Sequence, residues 1–172
     1  FGGRNLSSNG IEDIFVARFR GSNGAHLYSN SFGSSQRDIG EAVTVSTSGV
    51  PYLAGSYTST VTFGSTDLAG FGVQDVFVAR LTSALGVDWV RGYGDINTDR
   101  AQDIGVDNSG NVLVAGSFNN TVDFGVATAT STGKGDVFTL SIAGGTGTEQ
   151  WIQTFGGTDR DQATTVGVDS TS

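Results

Sequence analysis

The chain has 172 residues, with 27 Gly, a single Pro, no Cys and no Met, and a formal net charge of −8. The nine Lys and Arg are scattered singly, which excludes the clustered basic face that nucleic acid requires, and the missing Cys excludes disulfides and thiolate metal sites. No apolar run approaches the ~20 residues of a membrane helix. The chain opens on Phe1 with no signal-peptide pattern, so the sequence reads as a processed product or a piece of a longer protein.

Short apolar runs separated by Gly, Ser, Thr, Asn and Asp predict many short strands and tight turns. In chain order, residues 1–32 read as two strands. Strands then follow over 40–46, 50–57, 75–81 and 87–93, and again over 101–107, 111–118, 136–142 and 149–155. Residues 163–172 read as one more. Each closely spaced pair is joined by a turn such as Asn108-Ser109-Gly110 or Gly144-Gly145-Thr146-Gly147. The latter lacks the Lys and the following helix of a phosphate loop, so it reads as a hairpin turn.

The pattern is an internal repeat. Phe1-Gly2, Phe63-Gly64 and Phe124-Gly125 are spaced by 62 and then 61 residues, as are Asp13-Ile14-Phe15, Asp75-Val76-Phe77 and Asp136-Val137-Phe138. Tyr28, Trp89 and Trp151 follow at 61 and then 62, in step with Phe32, Tyr93 and Phe155. Runs such as Asp75 to Leu81 carry apolar residues at consecutive positions, which implies burial on both faces of each sheet. The expected fold class is therefore all-β: a β-propeller segment of four-stranded antiparallel blades with a 61–62 residue repeat and an incomplete ring. In that register 1–32 supply the last two strands of one blade, 40–93 and 101–155 are full blades, and 163–172 begin a further one. Lone blades would leave apolar faces in water, so the expected partners are other blades, from a longer chain or from identical subunits.

The string from Asp103 to Phe118, and the pairing of Val122-Asp123-Phe124-Gly125 with Asp136-Val137-Phe138, resemble the bacterial SBBP repeat, a family described as a seven-bladed β-propeller. The resemblance spans essentially the whole chain and implies an extracellular or bacterial cell-surface protein. Ser46-Thr47-Ser48-Gly49-Val50-Pro51 departs from the pattern, since the Asp and Asn of the turn are absent there.

Three residue sets invite a chemical reading. Asp95, Asn97, Asp99, Asp159 and Asp161 lie in the loops entering first strands, and their oxygens are candidate Ca²⁺ ligands. Asx residues also hold turns for conformational reasons, and that reading is preferred, as it is for Asp13, Asp75 and Asp136 at the starts of third strands. Trp89 and Trp151 are candidate sugar-stacking residues whose alternative role is packing between blades. His26 is the only histidine and occurs in one copy, and no catalytic residues are assigned. The sequence thus points to a non-catalytic binding or structural module, with self-assembly as a special case and a surface glycan or protein as ligand. The alternatives are the scaffold part of a secreted glycan-processing hydrolase and a carbohydrate-binding lectin.

Overall fold

The computed structural model describes Gly3 and residues 5–169. The Phe1-Gly2 anchor and the end of the expected 163–172 strand lie outside the described residues. Within them the chain is all-β, without helix, and its strands form antiparallel sheets of two to four strands.

The first sheet pairs β1 (Ile14–Phe19) with β2 (His26–Phe32). The second contains β3 (Ile39–Val45), β4 (Pro51–Tyr57), β7 (Asp75–Leu81) and β8 (Val87–Tyr93), in that spatial order. The third repeats the arrangement with β9 (Arg100–Val106), β10 (Asn111–Phe118), β13 (Asp136–Ala143) and β14 (Thr148–Phe155). Boundaries predicted from sequence hold to within a residue or two. No sheet closes into a ring among the described residues.

Two hairpins were not anticipated. β5 (Val61–Phe63) pairs with β6 (Thr66–Leu68), and β11 (Thr121–Asp123) with β12 (Thr128–Thr130), inside the long connections between second and third strands. They explain the Phe-Gly repeat. Phe63 and Phe124 are fully buried, and Gly64 (φ 65°) and Gly125 (φ 80°) take the left-handed conformation the turns need. The strands are only three residues long and rich in Thr, too short for periodicity to reveal.

Each buried Phe forms the middle of an aromatic triplet. Phe32, Phe63 and Phe77 meet with centroid spacings of 5.0 and 4.9 Å, and Tyr93, Phe124 and Phe138 with 5.8 and 4.9 Å. The first member closes the last strand of the preceding sheet (β2 or β8), the middle one lies in the β5–β6 or β11–β12 hairpin, and the third lies in β7 or β13 of the following sheet. The triplet therefore bolts neighbouring sheets together.

Strands β4 and β7 serve both neighbours. Tyr52, Ala54, Val76 and Val78 pack into a core shared with the third sheet, whereas Leu53, Tyr57, Phe77, Ala79 and Leu81 pack toward the first. Alternate side chains point to opposite faces of a strand, so apolar residues at every position bury both.

Residues 161–169 form no strand, because no neighbour pairs with them in a ladder. They nevertheless run along β9: the Thr165 hydroxyl and the Val166 amide donate to Asp103 Oδ2 at 2.6 and 2.8 Å. The one-residue slips in the repeat fall where β1 meets β2, β7 meets β8 and β13 meets β14: the pairs Phe19–His26, Leu81–Val87 and Ile142–Glu149 enclose six, five and six residues, while the rest of the unit keeps step.

If the aromatic triplet carries the contact between sheets, Phe124→Ala will destabilise the chain by about 3–5 kcal/mol. Urea unfolding followed by tryptophan fluorescence checks this, and a loss below about 1 kcal/mol would contradict the packing role.

Candidate functional site

The acidic turns at one end of the sheets are built on a recurring pattern. Asp99, fully buried at the entry to β9, accepts the Asp95 amide on Oδ2 and the Asn119 amide on Oδ1, both at 2.9 Å. Its equivalent Asp38, also fully buried, accepts the Ser34 amide at 2.6 Å and the Thr58 amide at 3.1 Å. Asp161 accepts the Gly157 amide at 2.9 Å. The backbone amides of Asp38, Asp99 and Asp161 in turn donate to the carbonyls of Glu12, Gln74 and Gly135, the residues immediately before the third strands, at 2.8, 2.8 and 2.9 Å. Each carboxylate thus closes its own turn, and each backbone amide ties that turn to the preceding sheet.

The other candidate oxygens are also engaged locally. Asp95 accepts the Asn97 amide at 2.7 Å on Oδ1 and the Asn97 side chain at 3.3 Å on Oδ2. Asp159 pairs with Lys134 at 3.2 Å on an exposed surface. Asp95, Asn97 and Asp99 share one connection, while Asp159 and Asp161 occupy the next. Among the described residues no group of three or more His, Cys, Asp or Glu converges in a way that could hold a metal ion.

Asp13, Asp75 and Asp136 accept the amides of Asn9, Phe71 and Thr132, each four residues upstream, at 2.7, 2.7 and 3.0 Å. The loop-closing role expected from sequence is the role they have. In each, Oδ1 is buried without a hydrogen-bond partner. That carboxyl lies against Gly33, Gly94 or Gly156, where a Cβ would overlap it. Sequence reading missed these glycines, although Phe32-Gly33, Tyr93-Gly94 and Phe155-Gly156 recur in the same register.

The two tryptophans differ. Trp89 Nε1 donates to the Gly144 carbonyl at 2.9 Å, and its ring meets Tyr52 at 6.2 Å and the Arg91 guanidinium at 5.9 Å. It is occupied with packing against the third-sheet turn. Trp151, the same position one sheet later, is 41% exposed. Beside Trp89, Arg91 Nε donates to the Gly147 carbonyl at 2.9 Å and lies 3.7 Å from Glu149, whose carboxylate accepts the Tyr93 hydroxyl at 2.7 Å. The Arg91–Glu149–Tyr93 part of this contact was invisible in the sequence because Glu149 lies in the next repeat and its equivalents are His26 and Val87. His26 packs edge-on against Phe19 at 5.8 Å.

Burial pushes the Asp99 carboxyl up to about 6, with the nearby Asp95 and Asp75 charges adding to the rise and the Asn119 and Asp95 amides opposing it. Burial also raises Asp75. Compared with known proteins, the chain is matched by no family model and by no curated sequence.

An acid whose folded pKa lies above its unfolded value of ~3.9 costs stability once it ionises. The Asp99 contribution is therefore intact below pH ~4 and is lost as pH rises to ~6, by on the order of 1–3 kcal/mol. Asp99→Asn should make the decline in urea midpoint across this window shallower than in the wild-type chain. An unchanged slope would remove Asp99 as its source.

Proposed function

We propose that the chain is a run of β-propeller blades of the SBBP type, serving as a non-catalytic binding or structural module on or outside the bacterial cell. The observation that carries this reading is the contact repeated between consecutive sheets. A fourth-strand side chain reaches the turn of the next sheet twice in equivalent positions, Asn30 to the Leu85 carbonyl at 3.0 Å and Arg91 to the Gly147 carbonyl at 2.9 Å. The aromatic triplets and the Asp38 and Asp99 ties repeat the same step. Contacts repeated between like sheets support this reading, since a radial array is built by repeating one such contact.

The acidic turns support a structural role, since their carboxylates are spent on backbone amides. The net charge of −8 suits a protein that remains soluble outside the cell and keeps away from phosphate backbones. Binding by such an array would be multivalent, with weak contacts copied at fixed spacing and adding through effective concentration.

The first test is the mass of the protein from its native source, denatured and native side by side. The expected result is either a denatured mass far above 17.7 kDa or a discrete native multiple of it. A folded 17.7 kDa monomer, stable alone, would overturn the ring reading. Incubation with chromogenic glycosides and esters should give no turnover above blank, and turnover abolished by substituting an acidic-turn aspartate would overturn the non-catalytic reading.

A further inference from the structure

One hollow between the second and third sheets departs from the repeat. It holds about 520 Å³ and is lined by Phe71, Asp95 and Ile96 from the connections around β7 and β8, and by Asn120 and Thr121 at the start of β11. Phe71 is 57% exposed and Ile96 73%. Where this copy has Phe71, the others carry Asn9 and Thr132, and where it has Ile96 they carry Ser35 and Thr158. The counterparts of Asp95 are Ser34 and Gly157. An aromatic ring, an aliphatic side chain and a carboxylate thus replace small polar groups at one place in the array.

The ring is held outward by its backbone. The Phe71 amide donates to Asp75 Oδ2 at 2.7 Å, and the Val73 amide to the Asn97 carbonyl at 2.9 Å. On the other flank the Tyr57 hydroxyl donates to the Ala69 carbonyl at 3.0 Å, and the Thr58 hydroxyl to the Val73 carbonyl at 3.2 Å. Gly70 and Gly72, either side of Phe71, lie so close to Ser59 and to Asp95 and Ile96 that a Cβ at either would overlap them. A segment tied at so many points presents its ring to solvent and has little order left to gain on binding.

Charge selects the ligand. In the first copy Arg37 pairs with Glu12 at 2.6 Å, and in the third Lys134 pairs with Asp159 at 3.2 Å. Each pair joins the segment before a third strand to the loop after the last one. The second copy has Gln74 with Thr98, and Val73 with Asn97, at those positions. Arg100 bonds the Gln74 side-chain oxygen at 2.8 Å, and among the described residues no Lys or Arg forms an ion pair with Asp75, Asp95 or Asp99. Burial is the main cause of the raised Asp75 and Asp99 carboxyls, and the Asp95 charge adds to both, so the three acids share one negative field. The copy that supplies no cation across this gap is the one with an exposed ring beside a carboxylate.

We propose that this hollow binds an arginine side chain of a partner polypeptide. The guanidinium lies over the Phe71 ring and toward the Asp95 carboxylate, and its methylene stem covers Ile96. A planar guanidinium stacks on a ring face while its edge N–H groups meet a carboxylate, and a long apolar stem packs on aliphatic surface. This inference rests on the binding-module reading and gives it a partner class. It concerns one hollow between two adjacent sheets, so it can fail while the array stands, and the mass measurement above bears only on the array.

The test is an NMR titration of the full isotope-labelled chain with the capped peptide Gly-Gly-Arg-Gly-Gly and with its citrulline counterpart, which keeps the shape and removes the charge. Saturable shifts are expected at the Phe71, Ile96 and Thr121 amides. Affinity should be at least about tenfold lower for the citrulline peptide, and for the Asp95→Asn and Phe71→Ala chains with the arginine peptide. Asn at position 95 keeps an oxygen for the Asn97 amide, and circular dichroism checks the fold of both variants. The citrulline comparison needs no variant, so it decides the matter even if one misfolds. Equal binding of the two peptides overturns the proposal, because the hollow would then recognise a neutral group. Shifts spread over the other acidic turns overturn it too, as diffuse attraction to a chain of net charge −8. So does the absence of any saturable shift.

Discussion

A strand with apolar side chains at every position cannot be satisfied by one neighbour, and the organisation of this protein follows from that constraint. β4 and β7 send alternate residues to two different cores, so the sheet containing them is packed on both faces. The hydrophobic driving force, roughly 25 cal/mol per Å² of buried apolar surface, acts mainly between sheets. Hydrogen bonding acts mainly within them. Ile104 in β9, packed into the core between sheets, is buried, whereas its counterpart Val43 in β3 is exposed.

The polar groups follow from the same geometry. Sheets pressed together on both faces bring their connecting turns into low-dielectric surroundings, where an unpaired amide costs about 1–3 kcal/mol. Aspartate is the economical solution, because its two short-tethered oxygens can accept amides from two segments at once. Asp38 and Asp99 each take one amide from their own turn and one from the segment after the second strand. Ser46 shows the tolerance of the scheme: its hydroxyl accepts the Val50 amide at 3.1 Å, the task Asp107 performs for Asn111 at 2.7 Å. Substitution at that turn changed the side chain and kept the bond.

How much of this was legible in sequence depended on the range of the interaction. The eight long strands of the two four-stranded sheets were readable because short apolar runs bounded by turn residues are a local signal, and the repeat supplied each with a second example. The Phe-Gly anchor was visible, but its hairpins were not, since three-residue Thr-rich strands carry no periodic signal. Asp75 was read correctly as a turn closer from its position before a buried strand. Its glycine neighbour across the turn was missed because Gly94 and Asp75 meet only after β7 and β8 pair. The Arg91–Glu149–Tyr93 contact lies between copies and is not itself copied, so comparison of repeats could not expose it.

The length slips of the repeat carry a historical consequence. Duplicated segments accumulate insertions and deletions throughout, but here the surviving ones sit in the turns between third and fourth strands, the only part of the unit whose length differs among the copies compared. There an added residue lengthens a hairpin tip and shifts no ladder. Inside a strand it would reverse the facing of every residue beyond it, where two apolar sides must be kept in place. The tips are therefore where a lineage of such proteins can diversify without losing its architecture, each copy keeping a fixed frame while its outermost loop drifts.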